Sequence, residues 1–264
     1  MTEPVRLGAV EYLNARPLTW ALDRAPERWK IRYDVPAVCS ALLRSGEVDL
    51  GLVPSVDYLE GEDYRLVPGV GIGSYGPVAS VALFARVPLE DVRRIALDAS
   101  SRTSVALVKV LCRYRFHISP EFVSHSPDIA DMTRHGDAAL LIGDPALEAD
   151  YEALGLLKTD LGAEWTDMTG LPFVYAAWTG RSGAATPSDV RLLQDAQEEG
   201  RRSLAAIASE FAGRDTLRAE RAATYLRDNV KYGIGADDAR GLQMFLDYVG
   251  DLGLAARKRS LEFF

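Results

Sequence analysis

Two apolar runs constrain the folding of this chain more than anything else in it. Residues 78–85 (Val-Ala-Ser-Val-Ala-Leu-Phe-Ala) and 173–178 (Phe-Val-Tyr-Ala-Ala-Trp) are nearly continuous in apolar side chains, the mark of a strand covered on both faces. One set of short strands and helices precedes the first run and another lies between the two, with no internal repeat or low-complexity linker. The predicted architecture is therefore α/β, with two lobes joined by strands that cross between them. Residues 78–85 leave the first lobe and 173–178 return to it. Lobe one takes residues 1–85 and 176–264, and lobe two residues 86–175. A ligand cleft is expected between them, where small molecules usually bind.

In the first set, residues 5–10 read as a strand and residues 30–35 alternate as a second. Pro17 suits a first helical turn, where its missing N–H loses no partner. A helix over 37–44 with Gly46 as C-cap follows, then a strand over 48–53 stopped at Pro54. This is the grammar of a parallel sheet covered by helices. In the second set, residues 94–97, 122–123 and 138–142 are strands, and the helix after Ser104 carries Val105, Val108, Leu111 and Cys112 on one stripe. Beyond residue 186 the pattern is purely helical. Thr186-Pro187-Ser188-Asp189 is a start signal, with a capping Thr, Pro at N1 and an acid at N3. One stripe then runs through Val190, Leu193, Leu204, Ile207 and Phe211. A second helix carries Leu217, Tyr225, Leu226 and Val230, and a third Ala239, Leu242, Phe245, Leu246 and Val249.

Thirty Lys and Arg against 38 Asp and Glu leave a net charge of -8. No basic face of the kind that releases counterions from nucleic acid is present, and the one cationic cluster, Arg257-Lys258-Arg259, reads as a solvated helix end. No apolar run is long enough to span a bilayer. The start, Met-Thr-Glu-Pro-Val-Arg-Leu-Gly, lacks the basic and apolar segments of a secretion signal. Cys39 and Cys112 are expected as buried free thiols. The expectation is a cytoplasmic protein that binds neither nucleic acid nor membrane.

In open α/β sheets, ligands gather beyond the carboxyl ends of strands, where helix N-termini point. Asn14 and Arg16 follow the first strand and Ser55 the third. Ser101, Arg102, Thr103 and Ser104 follow the first strand of lobe two, and Asp144 follows Ile142. Helix N-termini and arginine forks both suit carboxylates, although Ser101 to Ser104 equally suit simple helix capping. Other chemistries lack their motifs. His117, His125 and His135 show no metal spacing, and neither cysteine sits in a CxxC. Gly69-Val70-Gly71-Ile72-Gly73 is followed neither by a helix pattern nor by the Gly-Lys-Ser/Thr ending of a phosphate loop, and no Gly-x-Ser-x-Gly elbow occurs. The residues alone describe a two-lobed anion-binding protein without a metal or nucleotide motif.

A set of motifs in fixed order is more specific. Tyr12-Leu13-Asn14-Ala15-Arg16-Pro17-Leu18, Gly51-Leu52-Val53-Pro54-Ser55 and Gly76-Pro77-Val78-Ala79-Ser80-Val81 come first. Asp98-Ala99-Ser100-Ser101-Arg102-Thr103-Ser104 and Leu141-Ile142-Gly143-Asp144-Pro145-Ala146 follow. Asp160-Leu161-Gly162-Ala163-Glu164-Trp165, Gly170-Leu171-Pro172-Phe173-Val174 and Ser260-Leu261-Glu262-Phe263 complete the set. Over essentially the whole chain it resembles the chorismate dehydratase family of the futalosine route to menaquinone.

The resemblance implies a type II periplasmic-binding-protein-like fold, with parallel-rich sheets and crossing hinge strands. It implies a lyase that converts the dicarboxylate chorismate to 3-[(1-carboxyvinyl)oxy]benzoate, with loss of water and no cofactor. Asn14 takes the main catalytic position and Ser80 the second, while Ser55, Ser101, Thr103 and Ser104 grip carboxylates. Arg16 lies in the same motif and either joins them or pairs outward. With no histidine on a motif, the substrate's own enolpyruvyl carboxylate is expected to act as base. One alternative is the sister enzyme of the pathway, a 1,4-dihydroxy-6-naphthoate synthase. That family is expected to carry a His after the strand at 138–142, where Gly143-Asp144 stands here. The other is a non-catalytic carboxylate-binding protein, in transport or in sensing. An export signal or a DNA-binding domain is not expected before a first strand that starts at residue 5.

Overall fold

The computed structural model describes residues 4–25, 27–98 and 100–264. Met1, Thr2 and Glu3 of the N-terminal reading and Ala99 of the 98–104 motif lie outside the described residues. β1 (Val5–Ala9) leads through a tight turn, Leu13–Ala15, into the single-turn α1 (Arg16–Thr19). β2 (Trp29–Tyr33), α2 (Pro36–Ser45), β3 (Leu50–Pro54) and the long β4 (Tyr64–Ser74) follow. The second set is β5 (Val81–Ala85), β6 (Arg94–Asp98), α3 (Arg102–Leu111), β7 (Glu121–His125), α4 (Ile129–His135), β8 (Ala138–Ile142), α5 (Gly143–Glu148), β9 (Leu157–Asp160) and α6 (Leu161–Thr169). β10 (Phe173–Arg181) then precedes α7 (Pro187–Arg202), α8 (Leu204–Ala212), α9 (Thr216–Thr224), a wide π-type turn over Tyr225–Asn229, β11 (Lys231–Tyr232) and α10 (Ala236–Asp251).

The strands form two sheets, one of six in the order β11-β4-β10-β3-β1-β2 and one of five in the order β7-β6-β8-β5-β9. β1 runs parallel to β2 and β3, and β6 parallel to β7 and β8, as the βαβ pattern requires. β10 and β5 run antiparallel to their neighbours. These strands hold most of the two apolar runs, and as strands neither crosses between sheets, although residues 78–80 of the first run lie in a connecting segment. β5 pairs wholly within the five-stranded sheet and packs against α4, α5 and α6. A central strand covered on both faces has the same apolar signature as a crossing strand, so the sequence does not separate the two. The crossings are made instead by the short segments 75–80 and 170–172. Alternate residues of β5 feed different cores: Val81, Leu83 and Ala85 join the main cluster, and Ala82 and Phe84 a smaller one on the opposite face.

The glycine-rich stretch at 69–73 is part of β4. A Cβ on Gly73 would stand 2.7 Å from the Phe173 carbonyl oxygen, so glycine allows β10 to approach closely there. The long stripe from Val190 to Phe211 is broken at Ser203 into α7 and α8. α7 starts on a full capping box: Thr186 Oγ1 accepts from Asp189 N–H at 3.2 Å, and Asp189 Oδ2 accepts from Thr186 N–H at 2.9 Å. α7 also receives α1 at Gly200, where a Cβ would lie 1.8 Å from the Pro17 carbonyl oxygen. Arg257-Lys258-Arg259 is not a helix end, since α10 stops at Asp251. Arg259 is drawn inward, donating to the Gly61 and Tyr64 carbonyls at 2.6 and 3.0 Å and lying 4.3 Å from the Tyr58 ring centre. It thereby holds the C-terminal tail against β4. Cys39 and Cys112 are buried free thiols, pushed up by burial to about 11 and about 12, values at which a thiolate nucleophile is not available near neutrality. Among the described residues no helix is long and apolar enough to cross a membrane.

Candidate active site

A cleft with a free volume of about 60 Å³ lies between the sheets. Leu52 and Ile72 line it from the six-stranded sheet and Val81 and Ile142 from the five-stranded one. Its polar lining comes from Tyr12, Asn14, Ser101, Thr103, Ser104 and Tyr175. No charged side chain is among the described residues that line it.

One wall is the N-terminus of α3. Ser101 is the extended N-cap; its Oγ accepts from Ser104 N–H at 3.2 Å and donates to Ser104 Oγ at 2.8 Å. Thr103 reaches the opposite lobe: its Oγ1 accepts from Val56 N–H at 3.2 Å and stands 3.5 Å from Ser55 Oγ. Ser55 in turn donates to the Val174 carbonyl at 2.7 Å. The positive end of a ten-residue helix is thus docked against the short 3-10 helix Ser55–Glu60 that follows β3, aimed into an uncharged cleft. Capping and ligand binding use the same hydroxyls. Ser101→Ala is expected to lose about 1 kcal/mol of stability, read as a lower urea midpoint with an unchanged m-value.

The facing wall is the turn after β1, which carries Asn14. Several elements hold it. Tyr232 Oη donates to the Asn14 carbonyl at 3.0 Å, Leu13 N–H donates to Asp144 Oδ1 at 3.1 Å, and the Tyr12 ring packs on Gly143. Tyr225, on the π-type turn, is fully buried behind this wall. Its hydroxyl lies 2.7 Å from Ser80 Oγ and has the Asn14 side chain as a second partner. Burial pushes its phenol up, as it does those of Tyr12 and Tyr175, so all three stay neutral. Ser80 is placed by the crossing segment before it. Ala79 adopts a left-handed φ of 65°, costly for a residue with a Cβ, and the Asp160 carboxylate holds it there by accepting from Val78 and Ala79 N–H at 3.1 and 2.7 Å.

Asp144 is the carboxylate that this wall's Leu13 N–H meets, and burial raises its carboxyl above the ordinary 3.8. A raised carboxyl favours the folded state fully below the unfolded value, and that contribution is lost as pH rises through the folded value. Asp144→Asn keeps an oxygen acceptor for Leu13. The variant is therefore expected to melt higher than the parent near neutral pH and to converge on it below 3.8, which thermal melts across pH will show.

Of the residues singled out in the sequence, Asn14, Ser101, Thr103 and Ser104 come together in the cleft lining. Ser55 and Ser80 are buried just behind it, on Thr103 and on Tyr225. Arg16 is turned away. It sits 3.9 Å from Glu210 and 5.4 Å from the Phe211 ring centre, in a separate surface hollow with Asp23 and Tyr33. Two residues on from Asn14 along a helical path is the opposite side, so one motif cannot send both inward. Arg102 pairs with Asp57 at 3.0 Å and Glu60 at 2.5 Å. The arginine forks expected for carboxylates are therefore spent on structure, and the anion-attracting groups left in the cleft are hydroxyls, an amide and the α3 terminus. Tyr225 and Tyr175 are the residues missed. A phenol inside the otherwise apolar run 173–178 was a readable signal for Tyr175. Tyr225 sat on an ordinary helical stripe and gave none.

A two-lobed α/β molecule with a small-molecule cleft between its sheets has the architecture of the periplasmic binding proteins, and solved structures agree. A protein of Archaeoglobus fulgidus superposes with a TM-score of 0.74 at 18% identity, over 95% of this chain and 98% of that one. The periplasmic aliphatic sulphonate binding protein of Escherichia coli gives 0.66 at 21% identity, over 98% and 90%. Residues 5–251 match the family described as Menaquinone biosynthesis. A chorismate dehydratase of Thermus thermophilus is 33% identical over 265 residues, covering 94% of this chain and 96% of that protein. The chain belongs to the menaquinone biosynthesis family.

Proposed function

We propose that this chain is a hydro-lyase that converts chorismate to 3-[(1-carboxyvinyl)oxy]benzoate and water. The observation that supports it most is the uncharged cleft in which Asn14 faces the N-terminus of α3, in a chain one third identical to a chorismate dehydratase. Chorismate is a dianion. One carboxylate suits the α3 terminus with Ser101, Thr103 and Ser104, where hydroxyls, N–H groups and the helix dipole offset its charge.

The reaction breaks the ring C–H bond at the carbon bearing the ether oxygen and the C–O bond to the neighbouring hydroxyl. The C–H electron pair becomes the last double bond of the aromatic ring, and the proton and hydroxide leave together as water. The lining offers no base, because its phenols are held neutral by burial and amides and hydroxyls do not accept the proton. The substrate supplies one. Its enolpyruvyl carboxylate is tethered through the ether oxygen to the carbon that loses the proton, and such a tether replaces a high concentration of external base. Asn14 donates from its amide N–H to the departing hydroxyl oxygen, where negative charge develops. Tyr225 and Ser80 orient that amide: one Asn14 N–H donates to the Tyr225 phenol oxygen, which fixes the amide plane and leaves the second N–H for the cleft. Tyr225→Phe is expected to lower kcat about tenfold, the worth of one hydrogen bond, with KM little changed. Steady-state kinetics at several chorismate concentrations will separate the two.

The short connecting segments 75–80 and 170–172 permit a hinge through which the lobes admit substrate. The test is to mix the protein with chorismate and follow the ultraviolet spectrum, alongside chorismate esterified at its enolpyruvyl carboxylate. An aromatic spectrum from chorismate alone is expected. No aromatic product from folded protein overturns the function, and undiminished turnover of the ester moves the base from substrate to protein.

A further inference from the structure

We infer that His125, Asp131 and His135 form a binding site for a zinc-type divalent transition ion at the edge of the five-stranded sheet, an inference independent of the chemistry in the cleft. His125 ends the edge strand β7, and Asp131 and His135 lie one turn apart on α4, so the contact between strand and helix creates the set. Each residue offers one ligand atom, and the three atoms lie within 4.8 Å of one another. The linear sequence hid the site because the ligands come from two elements with no short metal spacing.

The hydrogen bonds around the set prepare it for a cation. His125 Nδ1 is 3.0 Å from the Ser126 carbonyl and His135 Nδ1 is 2.9 Å from the Asp131 carbonyl. A carbonyl only accepts, so both imidazoles carry a proton on Nδ1, which leaves Nε2 as the ligating nitrogen, the arrangement that orients metal-binding histidines. His125 Nε2 faces Asp131 Oδ2 at 3.1 Å. A nitrogen lone pair and a carboxylate oxygen at that distance call for a cation between them, which is a proton or a metal. Arg134 holds the other carboxylate oxygen, Oδ1, at 2.5 Å and so keeps Oδ2 turned to His125. The His125 and Asp131 side chains are partly exposed and that of His135 more so, which gives an ion an entry path and leaves a coordination position for water. Two imidazoles, one carboxylate and one water make a tetrahedral set suited to zinc, cobalt, nickel or copper rather than to magnesium or calcium.

Occupancy would pin α4 to β7. His125 is in register with Asp98, whose carboxylate accepts from the N–H and hydroxyl of Ser100 at 2.9 and 2.6 Å, at the start of the loop that opens α3. The site therefore braces the strand pair that carries that loop.

The test uses the tag-free, full-length protein stripped with chelator and titrated calorimetrically with zinc chloride. Saturable binding of a single ion is expected, with a melting temperature raised by roughly 5 °C at about a hundredfold excess over the dissociation constant. His125→Ala and Asp131→Asn should each abolish both effects, and circular dichroism will verify that each variant is folded. Cobalt chloride should give the visible d–d absorption of a tetrahedral site in the parent alone, and magnesium chloride should give no shift. If a proton is the only cation the pair takes, zinc will not bind saturably, which overturns the inference. Zinc binding that survives in either folded variant, or an equal response to magnesium, also overturns it.

Discussion

Asn14→Ala is expected to lower kcat on chorismate by about a hundredfold to a thousandfold while KM moves by less than about threefold. The split follows from where charge develops. Bound chorismate presents a neutral hydroxyl to the Asn14 amide, an exchange of one hydrogen bond with water for another that contributes little to binding. In the transition state the same oxygen becomes a leaving hydroxide, and a fixed donor in an uncharged, water-poor cleft then matters far more. The turn keeps its anchors when the side chain is removed, because it is held through the Asn14 carbonyl by Tyr232 and through Leu13 N–H by Asp144, and the Tyr225 hydroxyl that loses the amide keeps Ser80. The variant should melt close to the parent. Initial rates by the ultraviolet assay give kcat and KM. Near-normal turnover removes Asn14 from the chemistry, and a rise in KM alone reduces it to a binding contact.

Gly200→Ala is expected to cost about 3 kcal/mol of stability, at the upper end for overpacking. The added Cβ would stand 1.8 Å from the Pro17 carbonyl oxygen and 2.6 Å from its carbon, and both are backbone atoms that cannot swing aside. Relief requires α1 to move away from α7. α1 is a single turn starting at Arg16, directly after the turn that presents Asn14, so the displacement reaches the site as well as the core. A lower urea midpoint together with reduced kcat in the fraction that remains folded is the expected result. A variant as stable and active as the parent would show that the α1–α7 contact does not set the position of Asn14.

What could be read in advance was local. Gly46 ends α2 in the left-handed conformation that its sequence position suggested, Thr186 and Asp189 make the capping box, and the strand at 138–142 falls where its apolar run lies. Each depends on a few adjacent residues. The directions of side chains depended on partners far away in sequence. Arg16 turns out to the exposed Glu210, and Arg102 is taken by the buried Asp57 and the exposed Glu60, because carboxylates elsewhere compete for them better than an uncharged cleft does. Tyr225 meets Ser80 across 145 residues and His125 meets Asp131 across a strand–helix contact, pairings that no periodicity encodes. The candidate site was legible at Asn14 and at Ser101 to Ser104, whose place beyond the ends of strands follows from βαβ topology, and illegible where it relies on the π-type turn.

The most direct measurement is mass spectrometry of the products after the purified protein has been incubated with chorismate. A species lighter by exactly one water molecule, absent with Asn14→Ala over the same interval, is the expected result. Chorismate returned unchanged, or a product that has lost pyruvate rather than water, would contradict dehydration in this cleft.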